Sequence, residues 1–284
     1  MDFFRYLHDT ISIIKDIAPA MQLETPNKRL WLKFVLGFWG LSALGLAVAQ
    51  PVPTVAAASD LKFALEEVTA QFEKDTGHKL RLVFGSSGNF YSQLLQGAPF
   101  HLFMSADEGF VFKLAEAGMT EGRGKLYAYG RIGIKVPTGS TLRADGQLKD
   151  LGAALKDGRL KRFAIANPEH APYGMRAEEA LRRAGLWEQI SSKLVYGENV
   201  SQAAQFALSG STQGGIIAYS LALAPQIKEQ GEFALIPEEW HQPLAQRMVL
   251  MKNAPAAAKA FYEHLSTPSA QAVMLRHGFA MPKQ

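Results

Sequence analysis

Three short stretches place small hydroxyl residues where an apolar run gives way to a helical pattern. They are Ser59-Asp60 after T-V-A-A-A, Ser86-Ser87-Gly88 after K-L-R-L-V-F, and Ser105-Ala106-Asp107 at the end of H-L-F-M-S. No Lys, Arg or His stands at any of the three junctions. Serine hydroxyls and the free N–H groups of a helix start are hydrogen-bond donors, and together they surround an anion without a charged side chain. At any single junction, simple N-capping is the more economical reading, because Ser and Asp there satisfy orphan N–H groups by themselves. Three junctions at one sheet edge favour an oxyanion site, with Gly88 expected to let the backbone approach the anion closely. Asp60 runs against this chemistry. Its carboxylate would repel a dianion, so its side chain is expected to turn away and cap the helix.

Other residues offer less. The chain has no Cys, which excludes disulfides, thiolate metal sites and a Cys nucleophile. His101, His241, His264 and His277 lack the spacing of metal ligands. His170, in a loop between two prolines, reads as a structural hydrogen bonder, and Phe90 and Tyr91 as packing residues. Glu198, Glu238 and Glu239 read as solvated surface. A secreted hydrolase with Ser87 as nucleophile is the rival from another class. G-S-S-G lacks the G-x-S-x-G spacing of a nucleophile elbow, however, and no Asp or His is evidently placed to serve Ser87.

The elements that would position these groups alternate. Strands are expected at residues 54–58, 79–84 and 101–105, with helices at 60–76, 90–96 and 107–117, the last closed by Gly118. Strand-helix alternation of this kind marks a parallel sheet covered on both faces. An extended run at 126–137 then leads to new units: strands at 162–166, 193–196 and 214–219, and a helix near 175–184. A second lobe with its own sheet is the simplest account, with residues 127–130 as a crossing segment. The last two helices, 255–265 and 269–277, are expected to return to the first lobe. Their apolar faces would be Ala258, Phe261 and Leu265 on one, and Ala272, Val273 and Leu275 on the other.

The 284 residues carry 30 basic and 26 acidic side chains, interspersed, for a net charge of +4. That balance does not suggest a nucleic-acid partner. Near the N-terminus, Lys28, Arg29 and Lys33 precede an uncharged run at 34–49 that ends Ala47-Val48-Ala49. This is the form of a secretory signal, with cleavage expected between Ala49 and Gln50. The run is short for the roughly 20 residues of a spanning helix. Met21 would be a more ordinary start than Met1. Cleavage would leave a net charge of +3.

Five segments, in order, resemble the periplasmic molybdate-binding proteins of bacterial ABC transporters: V-A-A-A-S-D-L-K-F-A-L-E-E, F-G-S-S-G-N-F-Y-S-Q-L, G-A-P-F-H-L-F-M-S-A-D, A-N-P-E-H-A-P-Y-G-M-R-A-E-E-A-L and G-I-I-A-Y-S. The resemblance implies an α/β, two-lobed periplasmic-binding-protein fold. Each lobe would be a mostly parallel sheet flanked by helices, with the ligand cleft between lobes. The implied division is a signal and extension at 1–49, the first lobe at 50–129, the second at 130–245, and a return to the first at 246–284. The implied function is non-enzymatic. It is capture of molybdate or tungstate and delivery to a membrane permease, by a periplasmic monomer without a cofactor, molybdenum entering only as the oxyanion. Carried over by position, Ser59, Ser87 and the Ala106 N–H would bind from the first lobe. Tyr173, the Val200 backbone and the Tyr219 hydroxyl would bind from the second. Sulfate, thiosulfate or ferric ion, the last through Tyr173 and Tyr219, are the alternative ligands.

Overall fold

A computed structural model describes residues 52–282. The proposed signal segment and its cleavage site lie outside these residues. Two five-stranded sheets organise the described residues. The first has the order β2-β1-β3-β10-β4, from β1 (Thr54–Ala58), β2 (Arg81–Gly85), β3 (Leu102–Ser105), β4 (Lys125–Gly130) and β10 (Leu244–Leu250). The second has the order β7-β6-β8-β5-β9, from β5 (Ile132–Pro137), β6 (Phe163–Ala166), β7 (Leu194–Gly197), β8 (Gly215–Ala218) and β9 (Gly231–Leu235).

Both sheets follow one plan. β1 pairs in parallel with β2 and β3, and β6 pairs in parallel with β7 and β8. The other two pairings of each sheet are antiparallel, through β10 in the first and β5 in the second. The sheets are therefore mixed rather than mostly parallel. The reason is that the fourth strand of each sheet arrives from the other lobe and enters in the reverse direction.

The extended run at 126–137 divides at Arg131. Residues 127–130 belong to β4 in the first sheet, and the chain crosses only at Arg131 before entering β5 in the second. Residues 236–243 carry it back. Arg131 forms an ion pair with Glu238 of the returning segment, so that glutamate is not merely solvated.

Burial explains the elements. β1 is almost wholly apolar and buried, as a central strand covered on both faces must be. The helix Lys62–Thr76 turns Ala64, Leu65, Val68 and Phe72 inward at helical spacing and ends at Gly77, whose φ of 73° only glycine adopts cheaply. Complete burial of a side chain such as Phe72 contributes about 1.5–3 kcal/mol. Helices Ala256–His264 and Pro268–Arg276 do return to this first core through Ala258, Phe261, Ala270 and Met274. The face of the last helix differs from expectation. Ala270 and Met274, one turn apart, point inward, while Ala272 is exposed and Leu275 is 54% exposed.

Two helices begin earlier than the apolar pattern suggests. Ser87–Leu95 opens on Ser, Gly and Asn, and Pro172–Arg183 opens on Pro at N1. These weak helix formers are tolerated there because first-turn N–H groups have no intrahelical partner in any case.

Candidate functional site

The carboxyl ends of β1, β2 and β3 lie side by side at one edge of the first sheet, and those of β6 and β7 at one edge of the second. Between them is a small cavity. From the first lobe it is walled by Ala58, Ser59 and Asp60, by Gly85, Ser86 and Ser87, and by Ala106. From the second it is walled by Ala171, Pro172 and Tyr173 and by Asn199 and Val200. Five of the six residues anticipated from sequence thus share one cavity: Ser59, Ser87, Ala106, Tyr173 and Val200. Among the described residues that line it, no side chain is basic.

Tyr219 is the exception. It opens the short helix Tyr219–Ala222 after β8, but its ring stacks on Phe233 with centroids 5.6 Å apart, and it does not line the cavity. The next residue faces the site region instead: Ser220 Oγ donates to the Asp60 carbonyl at 2.9 Å. Of the two phenols that would have held iron, only Tyr173 lines the cavity.

The donors are organised through one another. Ser87 Oγ accepts the Ala106 N–H at 2.9 Å, leaving its own proton to donate. Ser59 Oγ accepts the Ser201 N–H at 3.2 Å, and Ser201 Oγ donates to the Ser59 carbonyl at 2.9 Å, joining the lobes. Helix starts supply the surroundings: Ser59–Leu61, Ser87–Leu95, Pro172–Arg183 and Val200–Leu208 all begin at the cavity. Among the anticipated junctions, side-chain N-capping occurs only at the third, where Asp107 Oδ1 accepts from the Gly109 N–H at 2.8 Å. Ser86 and Ser59 do not cap.

Asp60 departs from expectation. It caps no helix and is 1% exposed beside the cavity. Its Oδ2 accepts from the Tyr173 hydroxyl at 2.9 Å and from Gln246 Nε2 at 2.7 Å. Gln246 Oε1 in turn accepts from the Tyr127 hydroxyl at 2.8 Å. Burial pushes the Asp60 carboxyl up to about 6, against the pull of Gln246, Tyr173 and the backbone amides of Asp60 and Leu61. Burial, and then the nearby Asp60 charge, hold the Tyr127 and Tyr173 phenols well above their usual range. The Tyr173 phenol is therefore committed to Asp60 rather than to the cavity alone.

Gly88 also differs in its role. It does not line the cavity; its N–H donates to the His170 carbonyl at 2.9 Å, and a Cβ added there would lie 2.5 Å from that oxygen. The absent side chain lets the lobes meet. His170 is the hydrogen bonder expected. Its carbonyl accepts from Ser86 Oγ at 2.5 Å, its Nδ1 lies 2.9 Å from the same hydroxyl, and its Nε2 is 3.6 Å from Glu198. A further cross-lobe tie joins Arg176 to Asp107 at 2.7 Å.

Sequence reasoning missed the helix Val200–Leu208, β9 and β10. Asn199 was a usable signal, since it caps that helix by accepting the N–H groups of Ser201 and Gln202 at 3.1 Å. Gln246 carried none, being 186 residues from its partner Asp60.

Comparison with known proteins places this architecture. Residues 53–280 match the family model of bacterial extracellular solute-binding proteins. The chain belongs to that family. It is 36% identical to the molybdate-binding protein ModA of Rhodobacter capsulatus over 249 residues, covering 84% of this chain and 95% of that one. To ModA of Azotobacter vinelandii it is 35% identical over 246 residues, covering 85% and 95%. Its structure superimposes on the A. vinelandii periplasmic molybdate-binding protein with a TM-score of 0.73, covering 81% of this chain and 100% of that one at 29% identity. Among the described residues no helix is long and apolar enough to cross a membrane.

Proposed function

We propose that the protein is an extracytoplasmic receptor that captures molybdate, and tungstate with it, and hands the anion to the permease of an ABC transporter. The observation that carries this reading is the cavity between the lobes, built from serine hydroxyls and four helix starts with no basic side chain. The kinship with molybdate-binding proteins supports the choice of anion. Ser59, Ser87 and Val200 supply the free donors in this reading; Ala106, whose N–H goes to Ser87, and Tyr173, whose proton goes to Asp60, wall the site, and Tyr219 is left out of it.

A divalent anion loses its hydration shell on burial, and directed donors with helix ends replace that shell. A cavity of fixed size disfavours smaller sulfate. Closure of two lobes about Arg131 and residues 236–243 presents a liganded shape for the permease to recognise. The receptor works as a monomer without a cofactor, exported by a signal cleaved between Ala49 and Gln50. Ser87 is not set up as a nucleophile, because the partner of its hydroxyl is the Ala106 N–H. Ser86 lies beside His170, but its proton goes to the His170 carbonyl rather than to a base.

Thermal unfolding of the chain from Gln50 onward, with molybdate, tungstate, sulfate, phosphate or ferric citrate in turn, tests the reading. A ligand at about 1,000 times its Kd adds about 4 kcal/mol. Stabilisation by molybdate and tungstate alone is expected. Stabilisation by sulfate or iron instead overturns the ligand, and no shift with any of them overturns the receptor role.

A further inference from the structure

Asp60 poses a problem that the donor set alone does not solve. A fully buried carboxyl lines the cavity proposed for a dianion. Its Oδ2 is occupied by Tyr173 and Gln246, but its Oδ1 is buried without a well-formed hydrogen bond among the described residues, only its own amide and that of Leu61 lying near the carboxyl. An orphan acceptor beside a bound anion would face it with like charge and an unpaired lone pair at once.

Among the described residues no cation relieves it. Of the groups facing Asp60, Tyr173 and Tyr127 are neutral phenols and Gln246 a neutral amide. The packed helix Val200–Leu208 has no titratable residue, and Tyr219 of the helix Tyr219–Ala222 is turned against Phe233. On the following helix, Lys62 pairs with Glu66, Glu73 with Lys79, and Glu67 with Arg276 and His277; Lys74 and Asp75 are exposed. Arg81 of β2 is exposed. Arg176 of the helix Pro172–Arg183 pairs with both Glu179 and Asp107, and Arg182 pairs with Glu178. Arg247 of β10 pairs with Glu108, and Lys125 of β4 with Glu263.

We propose that Asp60 enters the liganded state as the neutral carboxylic acid, its Oδ1–H donating to the bound oxyanion, so that capture of each anion takes up one proton. The proton comes from solvent, and no covalent bond of the anion changes. One event removes the repulsive charge and turns the orphan acceptor into a donor. Oδ2 keeps both bonds it accepts from Tyr173 and Gln246. The raised Asp60 pKa in the free protein lowers the cost of this protonation near neutrality. The inference rests on the oxyanion reading and adds proton linkage to it.

Asparagine is the isosteric mimic of the neutral acid, with an oxygen for Tyr173 and Gln246 and an N–H for the anion. The test is calorimetric titration of the mature protein with molybdate from about pH 6.5 to about pH 8.5, in two buffers of different ionisation enthalpy, for wild type and Asp60→Asn. Wild type is expected to take up close to one proton at the alkaline end, with Kd rising up to about tenfold per pH unit. Asp60→Asn is expected to take up none and to hold a flat Kd. Should Asp60→Asn fail to fold, the wild-type proton count decides alone. Tight, pH-independent binding by wild type without proton uptake overturns the proton coupling and leaves the receptor reading standing. Absence of molybdate binding by wild type at every pH overturns the receptor reading, and the coupling with it.

Discussion

The Gly88 N–H donates to the His170 carbonyl across the cleft at 2.9 Å, at a point where a methyl group would come within 2.5 Å of that oxygen. Closure of the lobes therefore depends on a glycine that does not line the cavity. Gly88→Ala is expected to cost the closed state about 1–3 kcal/mol, raising the molybdate Kd about 5- to 150-fold. The same contact stands in the ligand-free structure, so its melting temperature is expected to fall too, a fall offset only in part by the preference of Ala for the helix Ser87–Leu95. Titration and thermal unfolding of the same variant check both halves.

Ser87→Ala removes the hydroxyl that receives the Ala106 N–H and offers its own proton to the cavity. Loss of a buried, charge-assisted donor is expected to weaken molybdate binding by about 1.5–3 kcal/mol. Calorimetry in one buffer measures it, and an unchanged Kd would remove Ser87 from the site.

Tyr219→Phe should leave molybdate affinity within about twofold of wild type, because the ring lies against Phe233 outside the cavity. A loss of tenfold or about that order on the same titration would return the hydroxyl to the binding set.

Arg176 and Asp107 lie on opposite lobes and are joined at 2.7 Å, with the Arg176 side chain only 10% exposed. Arg176→Met is expected to weaken binding by about 1–2 kcal/mol, between the values of exposed and buried pairs. The dissociation rate should carry most of the change, because the pair holds the closed form. Stopped-flow release of molybdate distinguishes this from slower association.

The ligand-free protein should lose stability as pH rises through the Asp60 titration. The folded-state pKa is raised from 3.8 to about 6, so the native state keeps a proton that the unfolded chain has released. The contribution is complete below the unfolded value and is lost as pH rises through about 6, a total on the order of 3 kcal/mol. Melting temperatures of wild type and Asp60→Asn across this range should diverge on the alkaline side, with Asp60→Asn the more stable.

Local chemistry was readable from the chain alone where cause and effect are close in sequence. Apolar runs ending in Ser placed β1, β2 and β3 and the junctions after them, because strand burial and helix initiation depend on neighbouring residues. The want of basic residues at those junctions already implied a donor-built anion site, and Ser59, Ser87 and Ala106 do share one cavity. What tertiary structure alone decided concerns partners far apart in the chain. Asp60 reads locally as a helix cap. Folding instead sets it against Gln246 on a strand that returns from the other lobe, and against Tyr173 across the cleft. Gly88 reads as room for a ligand and turns out to be room for His170. Tyr219 follows its strand as expected, but its rotamer is set by packing on Phe233, 14 residues further on. Backbone propensity determines where such a residue stands; which way its side chain faces is settled by what the assembled lobes leave unfilled.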